Sequence, residues 1–330
     1  MMTRHGIAEM IWKNREGALT DMSIRSDLAL EMREMYAEEI SGVESSEADS
    51  DGVKVTSVKI TSAEGALKIG KPIGNYITIE LDNMDFENED ICNRGAHALC
   101  DELKKIIRLD GNASVLAVGL GNRRITPDSV GPKTVDKLFV TRHMKEIKDE
   151  RFEFDFRPVS AVAPGVLGIT GIETGETVMG IADRIKPDLI IAVDALASRK
   201  LSRLGTTVQI ADTGINPGSG VGNNRKELSE KTLGIPVIAI GIPMVSDAAT
   251  VADDVFSVMA EHIKESGGDE LYKALSSIGE SERAEVIKEV LTENEMNQVI
   301  TPNNVDVISE QAAKIIAGGI NLALHGDMFL

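Results

Sequence analysis

The stretch Asp188-Leu189-Ile190-Ile191-Ala192-Val193-Asp194-Ala195-Leu196 decides the fold. It follows Lys186-Pro187, runs through five apolar residues, mostly branched, and meets an acid at Asp194. A short, wholly apolar run of this kind reads as a strand buried on both faces. Two more such runs occur, at 114–119 leading into Gly119-Leu120-Gly121-Asn122, and at 237–242 ending in Pro243. Helix-like stretches at about 131–148 and 174–186 lie between them. The alternation predicts an α/β fold with a mostly parallel central sheet flanked by helices. Working residues in such sheets gather beyond the carboxyl ends of the strands, which selects the loops 122–131, 194–199 and 243–247.

Outward from this centre the signals weaken. Residues 53–61 and 76–81 alternate polar and apolar side chains and predict a small antiparallel β appendage spanning 53–81. Between 41 and 52 the chain is Ser, Glu and Asp, and reads as an exposed loop. Helices are expected over 27–40, 282–291 and 305–323. Residues 1–27 carry no clear period and read as a separate leader, leaving 28–330 as one α/β domain.

Composition narrows the function. The chain has 330 residues, 42% of them hydrophobic, enough for a substantial core. Its formal charge of −18, from 53 acidic and 35 basic residues, repels nucleic acid and anionic membrane, so no direct nucleic-acid binding is expected. No apolar run reaches the ~18 residues of a membrane span, and no apolar stretch follows Arg4 and His5 as in a secretory signal. The protein is therefore expected to stay where it is made. Cys92 and Cys100 stand eight residues apart on a predicted helix, ~12 Å and too far for a disulfide, so reduced thiols are expected.

Two aspartates carry the chemical signal. Asp128 lies in Ile125-Thr126-Pro127-Asp128-Ser129-Val130-Gly131-Pro132, a loop stiffened by two prolines, where it either caps the next helix or works as a catalytic group. Asp194 closes an apolar run, where a charge is costly unless paired or functional. Two carboxylates at adjacent strand ends can share a proton or a water, and their repulsion separates them into one base and one acid. The alternative is that they hold a metal that activates water. His143, Glu173 and Asp212 are the next candidates for the cleft, with His143 reading better as a surface or packing residue. The glycine-rich run containing Gly218, Gly220 and Arg225 can expose amides to an anion but lacks the order of a phosphate-binding loop, and reads as substrate-facing. The serine, zinc and cysteine hydrolase signatures are absent from the sequence.

Longer blocks are more specific. They include Val118-Gly119-Leu120-Gly121-Asn122, Thr126-Pro127-Asp128, Gly131-Pro132-Lys133, Thr141-Arg142-His143 and Arg157-Pro158-Val159-Ser160-Ala161. Further on come Gly171-Ile172-Glu173-Thr174, Asp194-Ala195-Leu196-Ala197, Pro217-Gly218-Ser219-Gly220-Val221-Gly222-Asn223 and Gly234-Ile235-Pro236-Val237. In this order, through roughly 24–326, they resemble the germination proteases, spore endopeptidases that degrade small acid-soluble spore proteins. The resemblance implies an atypical aspartic-type endopeptidase with Asp128 and Asp194 as its catalytic pair and no cofactor. It also implies a fold like that of the hydrogenase-maturation endopeptidases, a homotetramer, and a place in the cytoplasm of the forespore or spore core.

The same resemblance implies a zymogen. That family cuts its substrates after Glu within Thr/Ser-Glu-Ile/Phe-Ala-Ser-Glu, and Ser26-Asp27-Leu28-Ala29-Leu30-Glu31 imitates the pattern. Self-cleavage between Asp27 and Leu28 is expected, with 1–27 as propeptide; a helix start capped by Ser26 or Asp27 would need no cut. Recognition of an acid before the cut bond needs a cation, sought in Arg123, Arg142, Lys200 and Arg225 in that order. The rivals are a metal-dependent hydrolase with Glu173 or His143 as further ligands, and a binding protein without catalysis.

Overall fold

The computed structural model describes residues 26–81, 89–107, 109–110, 113–146, 156–216, 226–292 and 298–326. In chain order the elements open with α1 Ala29–Glu34, β1 Val43–Ser50, β2 Val53–Ile60, α2 Ala63–Ile69, β3 Gly74–Glu80, α3 Glu89–Ile106 and β4 Val115–Gly119. They continue with α4 Val130–Val135, β5 Val159–Val162, α5 Leu167–Thr170, α6 Thr174–Ile185, β6 Leu189–Ala197 and β7 Thr207–Ala211. Next are α7 Glu230–Leu233, β8 Val237–Asp247, α8 Ala248–Glu265, α9 Asp269–Ser276, α10 Glu280–Thr292, β9 Val299–Ile300 and α11 Val305–His325. Short 3₁₀ turns occupy Thr126–Asp128, Arg142–Glu146 and Leu201–Arg203.

The strands form one sheet in the order β1-β2-β3-β7-β8-β6-β4-β5, with β9 on β8. The expected α/β fold with flanking helices is present, but the sheet is mixed rather than mostly parallel. β8, β6, β4 and β5 run parallel, while β1, β2, β3, β7 and β8 pair antiparallel. The reversal follows from a short connection. Only residues 198–206 link β6 to β7, less than the dozen or more that a parallel crossover needs, so β7 returns antiparallel against β8. β3 then adds to β7, and the 53–81 segment becomes part of the central sheet instead of an appendage. Residues 43–50, expected as a loop, form edge strand β1, whose exposed polar side chains blunt the sheet edge.

Alternation along the buried strands sends side chains to two cores. Val115, Ala117, Ile191 and Val193 pack with Leu99 and Leu103 of α3, Val130 of α4, and Ile308, Ile315 and Ile316 of α11. Leu116, Val118, Ile190 and Ala192 face the other way, onto Val178 and Ala182 of α6. On the antiparallel half, Ala29 and Leu30 of α1 and Ile69 of α2 cover Val58, Ile60, Tyr76, Ala211 and Ala239. By the same alternation Asp194 belongs to the face of Ile190 and Ala192.

The helix expected over 131–148 is shorter, ending at Val135 before the 3₁₀ turn Arg142–Glu146. The helix expected over 27–40 likewise covers only Ala29–Glu34. Cys92 and Cys100 both lie on α3 and are not joined in a disulfide. Residues 247–292 with 298 belong to a second compact unit. Within it Asp247 caps α8 by accepting from Thr250 N at 3.0 Å, and Arg283 joins α10 to α8 through Asp253 (2.9 Å) and the Phe256 ring.

Candidate active site

Glycine sets the ends of β4 and β6. A side chain at Gly119 would lie 2.2 Å from the carbonyl oxygen of Gly131, and one at Gly131 would lie 2.3 Å from that of Leu120. This close approach seats the turn carrying Asp128 against the end of β4 and beside β6. Leu120 N then donates to Val193 O at 2.8 Å, the last rung between the two strands. Asp128 does not cap the helix after it, whose first turn starts from Ser129. Its carboxylate accepts instead from Asn122 N at 2.8 Å, and Gly121, at φ +104°, leaves room for it.

Asp194 is 5% exposed and lines a cavity of about 270 Å³. In the sheet Asp194 and Gln209 both stand opposite Gly241 of β8, one on each side. Residues in register point to the same face. The missing side chain of Gly241 therefore opens the cavity between a carboxylate and an amide. Lys71, Tyr76, Glu227 and Asp27 complete its polar lining. Tyr76 donates to Pro72 O at 2.8 Å, which ties down the loop bearing Lys71. Burial pushes the Tyr76 phenol up to about 12, so it acts as a neutral donor. Burial also pulls the Lys71 ammonium below the usual lysine value, and the Asp27 charge opposes that pull.

The residues around the expected cut are held in this cavity. Past the end of β4 the edge of β6 has no strand beside it, and Asp27 occupies that place: Asp27 N donates to Ala197 O (2.9 Å), and Ala197 N donates to an Asp27 carboxylate oxygen (2.8 Å). Gln209 Nε2 donates to the Asp27 carbonyl oxygen at 3.0 Å, and Gln209 Oε1 accepts from Ala29 N at 2.7 Å. Leu28 and Ala29 are fully buried. Ser26 and Asp27 do not act as helix caps, since α1 starts from Leu28 without a side-chain cap.

The structure brings some of the expected residues together and separates others. Asp128 and Asp194 stand at the carboxyl ends of neighbouring strands, as expected, but Asp128 is not among the described residues lining the cavity. Arg123 is engaged with Asp136 and the Pro132 carbonyl, and Lys200 with Glu34 at 2.7 Å. Arg142 and His143 are exposed on their 3₁₀ turn. Glu173 precedes the first turn of α6, and Asp212 holds Asn75 through both carboxylate oxygens. The cation beside Asp27 is therefore Lys71, because the expected arginines and Lys200 serve local ion pairs or face solvent. Neither Glu173 nor His143 lines the cavity, and among the described residues no three His, Cys, Asp or Glu cluster to hold a metal. Gly218, Gly220 and Arg225 lie outside the described residues, as do 1–25 of the leader.

Sequence reasoning passed over Lys71 and Gln209. Gln209 had a usable signal, an amide inside the apolar run Thr207-Val208-Gln209-Ile210-Ala211. Lys71, in Gly70-Lys71-Pro72, has nothing to set it apart from the other basic residues.

With this geometry in view, the comparisons are specific. The germination protease family model matches residues 20–276 and 264–329. A germination protease of Caldanaerobacter subterraneus subsp. tengcongensis is 47% identical over 307 residues, covering 92% of this chain and 95% of the relative. One from Clostridium perfringens is 44% identical, covering 93% and 97%, and one from Priestia megaterium is 39% identical, covering 95% and 97%. With the family model and its relatives spanning nearly the whole sequence, the chain belongs to the germination protease family.

Proposed function

We propose that this protease is an aspartic-type endopeptidase that begins the degradation of small acid-soluble spore proteins in the spore core, and that it is made as a zymogen cut between Asp27 and Leu28. The observation that carries this reading is the seating of that peptide bond. Its carbonyl accepts from Gln209 on the sheet row that also holds Asp194. Water attacks the Asp27 carbonyl carbon. Asp194 and Asp128 divide the roles of base and acid, taking the proton from water and delivering one to the leaving amine of Leu28. Gln209 donates to the oxygen on which negative charge develops. Lys71 offsets the charge of the acidic side chain before the cut bond, and the residue at that place in a substrate takes the position of Asp27. The aligned helices on both sheet faces support a likeness to the hydrogenase-maturation endopeptidases, and exposed Val255, Val258 and Met259 on α8 offer apolar surface for a homotetramer.

Intact-mass spectrometry of the purified chain over time tests the reading against an Asp194→Asn variant. Loss of residues 1–27 from the wild type alone supports it. Equal cutting of both chains removes Asp194 from the chemistry, and two intact chains remove the zymogen.

A further inference from the structure

Glu31 is 2% exposed, yet it carries a carboxylate. Arg199 N donates to its Oε2 at 2.6 Å, Lys200 N donates to its Oε1 at 3.0 Å, and an Arg203 guanidinium nitrogen lies 3.3 Å from Oε1. Arg203 is itself 7% exposed and also binds Glu34 and Glu80. A buried ion pair seldom stabilises a fold more than an apolar pair of similar size would. Packing alone does not call for a carboxylate here.

Two connections tie this pair to the peptide bond after Asp27. Ser26 Oγ donates to Glu31 Oε2 at 2.5 Å and accepts from Leu28 N at 3.0 Å, so a side-chain bridge closes around Asp27-Leu28. The receptor is also continuous. Ala197 holds Asp27 by backbone and carboxylate, and two residues later the amides of Arg199 and Lys200 hold Glu31.

We propose that residues 199–203 form a carboxylate-binding slot that recognises an acidic side chain four positions beyond the cut bond, filled by Glu31 of the protein's own segment and by an acidic peptide that displaces it. The proposal rests on reading Asp27-Leu28 as the cut bond. It makes the segment 26–31 a competitor of substrate, because both need Ala197, Gln209 and the slot. Recognition extends beyond the acid at the cut bond to a second acid at fixed spacing.

The test uses full-length chains carrying Asp194→Asn, with and without Glu31→Gln, and fluorescent peptides copying residues 22–35 with either Glu or Gln at the position of Glu31. Binding is followed by anisotropy. The Glu peptide binds at least about tenfold tighter than the Gln peptide, the scale of charge-assisted hydrogen bonds to a buried partner. It also binds the double variant more tightly than the single one, because Glu31→Gln loosens the resident segment. A folding defect in the double variant leaves the peptide comparison on the single variant standing. Equal affinity of the two peptides, or no binding of either, overturns the slot. Cleavage by the Glu31→Gln chain with Asp194 intact is read separately. Discrimination in binding with no cut after the Asp27 position leaves the slot in place and removes the proposed cleavage site.

Discussion

At Asp27 a single amide does two tasks, since Gln209 donates to the carbonyl and accepts from Ala29 N. Gln209→Glu keeps the acceptor and the shape but loses the donor. Self-cleavage of that variant slows about 10²- to 10³-fold, the usual effect of removing one oxyanion donor, while thermal stability changes little. Mass spectrometry beside a melting curve checks both. Lys71→Gln removes the cation beside Asp27. Its effect falls on KM for peptides with an acid before the cut bond, by about tenfold, and not on peptides with a neutral residue there. Equal loss on both peptides would return Lys71 to a purely structural role. A third residue-scale prediction concerns acid. Burial alone would raise the Glu34 carboxyl, but hydrogen bonds and charge from Arg203 and Lys200 outweigh it and hold it at about 2, against an ordinary 4.5. A depressed carboxyl contributes stability that is fully present above its unfolded value and is lost as pH falls toward its folded one. The stability gap between wild type and Glu34→Gln in urea is therefore constant above about 4.5 and closes between there and 2.

At the scale of elements, the pairing of Gly119 with Gly131 sets how near the Asp128 turn comes to β4. Gly131→Ala would place a methyl 2.3 Å from Leu120 O and 2.5 Å from Val193 O, so the turn has to move. The expected loss is about 1–3 kcal/mol in urea unfolding, with a larger fractional loss of cleavage as Asp128 leaves its place. A normal cleavage rate in a destabilised Gly131→Ala chain would separate Asp128 from the chemistry. The three apolar strands β4, β6 and β8 were legible because burial on both faces leaves an unbroken apolar run. β1 was not, because an edge strand with polar side chains on both faces looks like a loop. β7 was missed because its five residues, Thr207–Ala211, include two polar side chains and no turn signal marks its entry.

For the whole molecule, Val255, Val258 and Met259 on α8 and Val286 and Val290 on α10 are exposed apolar residues. If they meet a second copy, light scattering gives a mass near four times 35.5 kDa for wild type and less for Val258→Glu. An unchanged mass for the variant moves the interface elsewhere; a monomeric wild type removes the tetramer. The charge of −18 makes such association salt-dependent, since like-charged copies repel until screened.

The chain alone carried the family blocks, the buried parallel strands and the two aspartates at their ends, because each is a local pattern: an apolar run, a stiff loop, an acid where apolar residues should continue. Tertiary structure alone decided the direction of β7, the joining of residues 53–81 to the central sheet, and the cavity opened by Gly241 between Asp194 and Gln209. It alone brought Lys71 to Asp27, and Glu31 to Arg203 across 172 positions of sequence. These depend on which strands become neighbours, and strand order follows from the packing of many weak contacts across the sheet, which no window of the sequence contains.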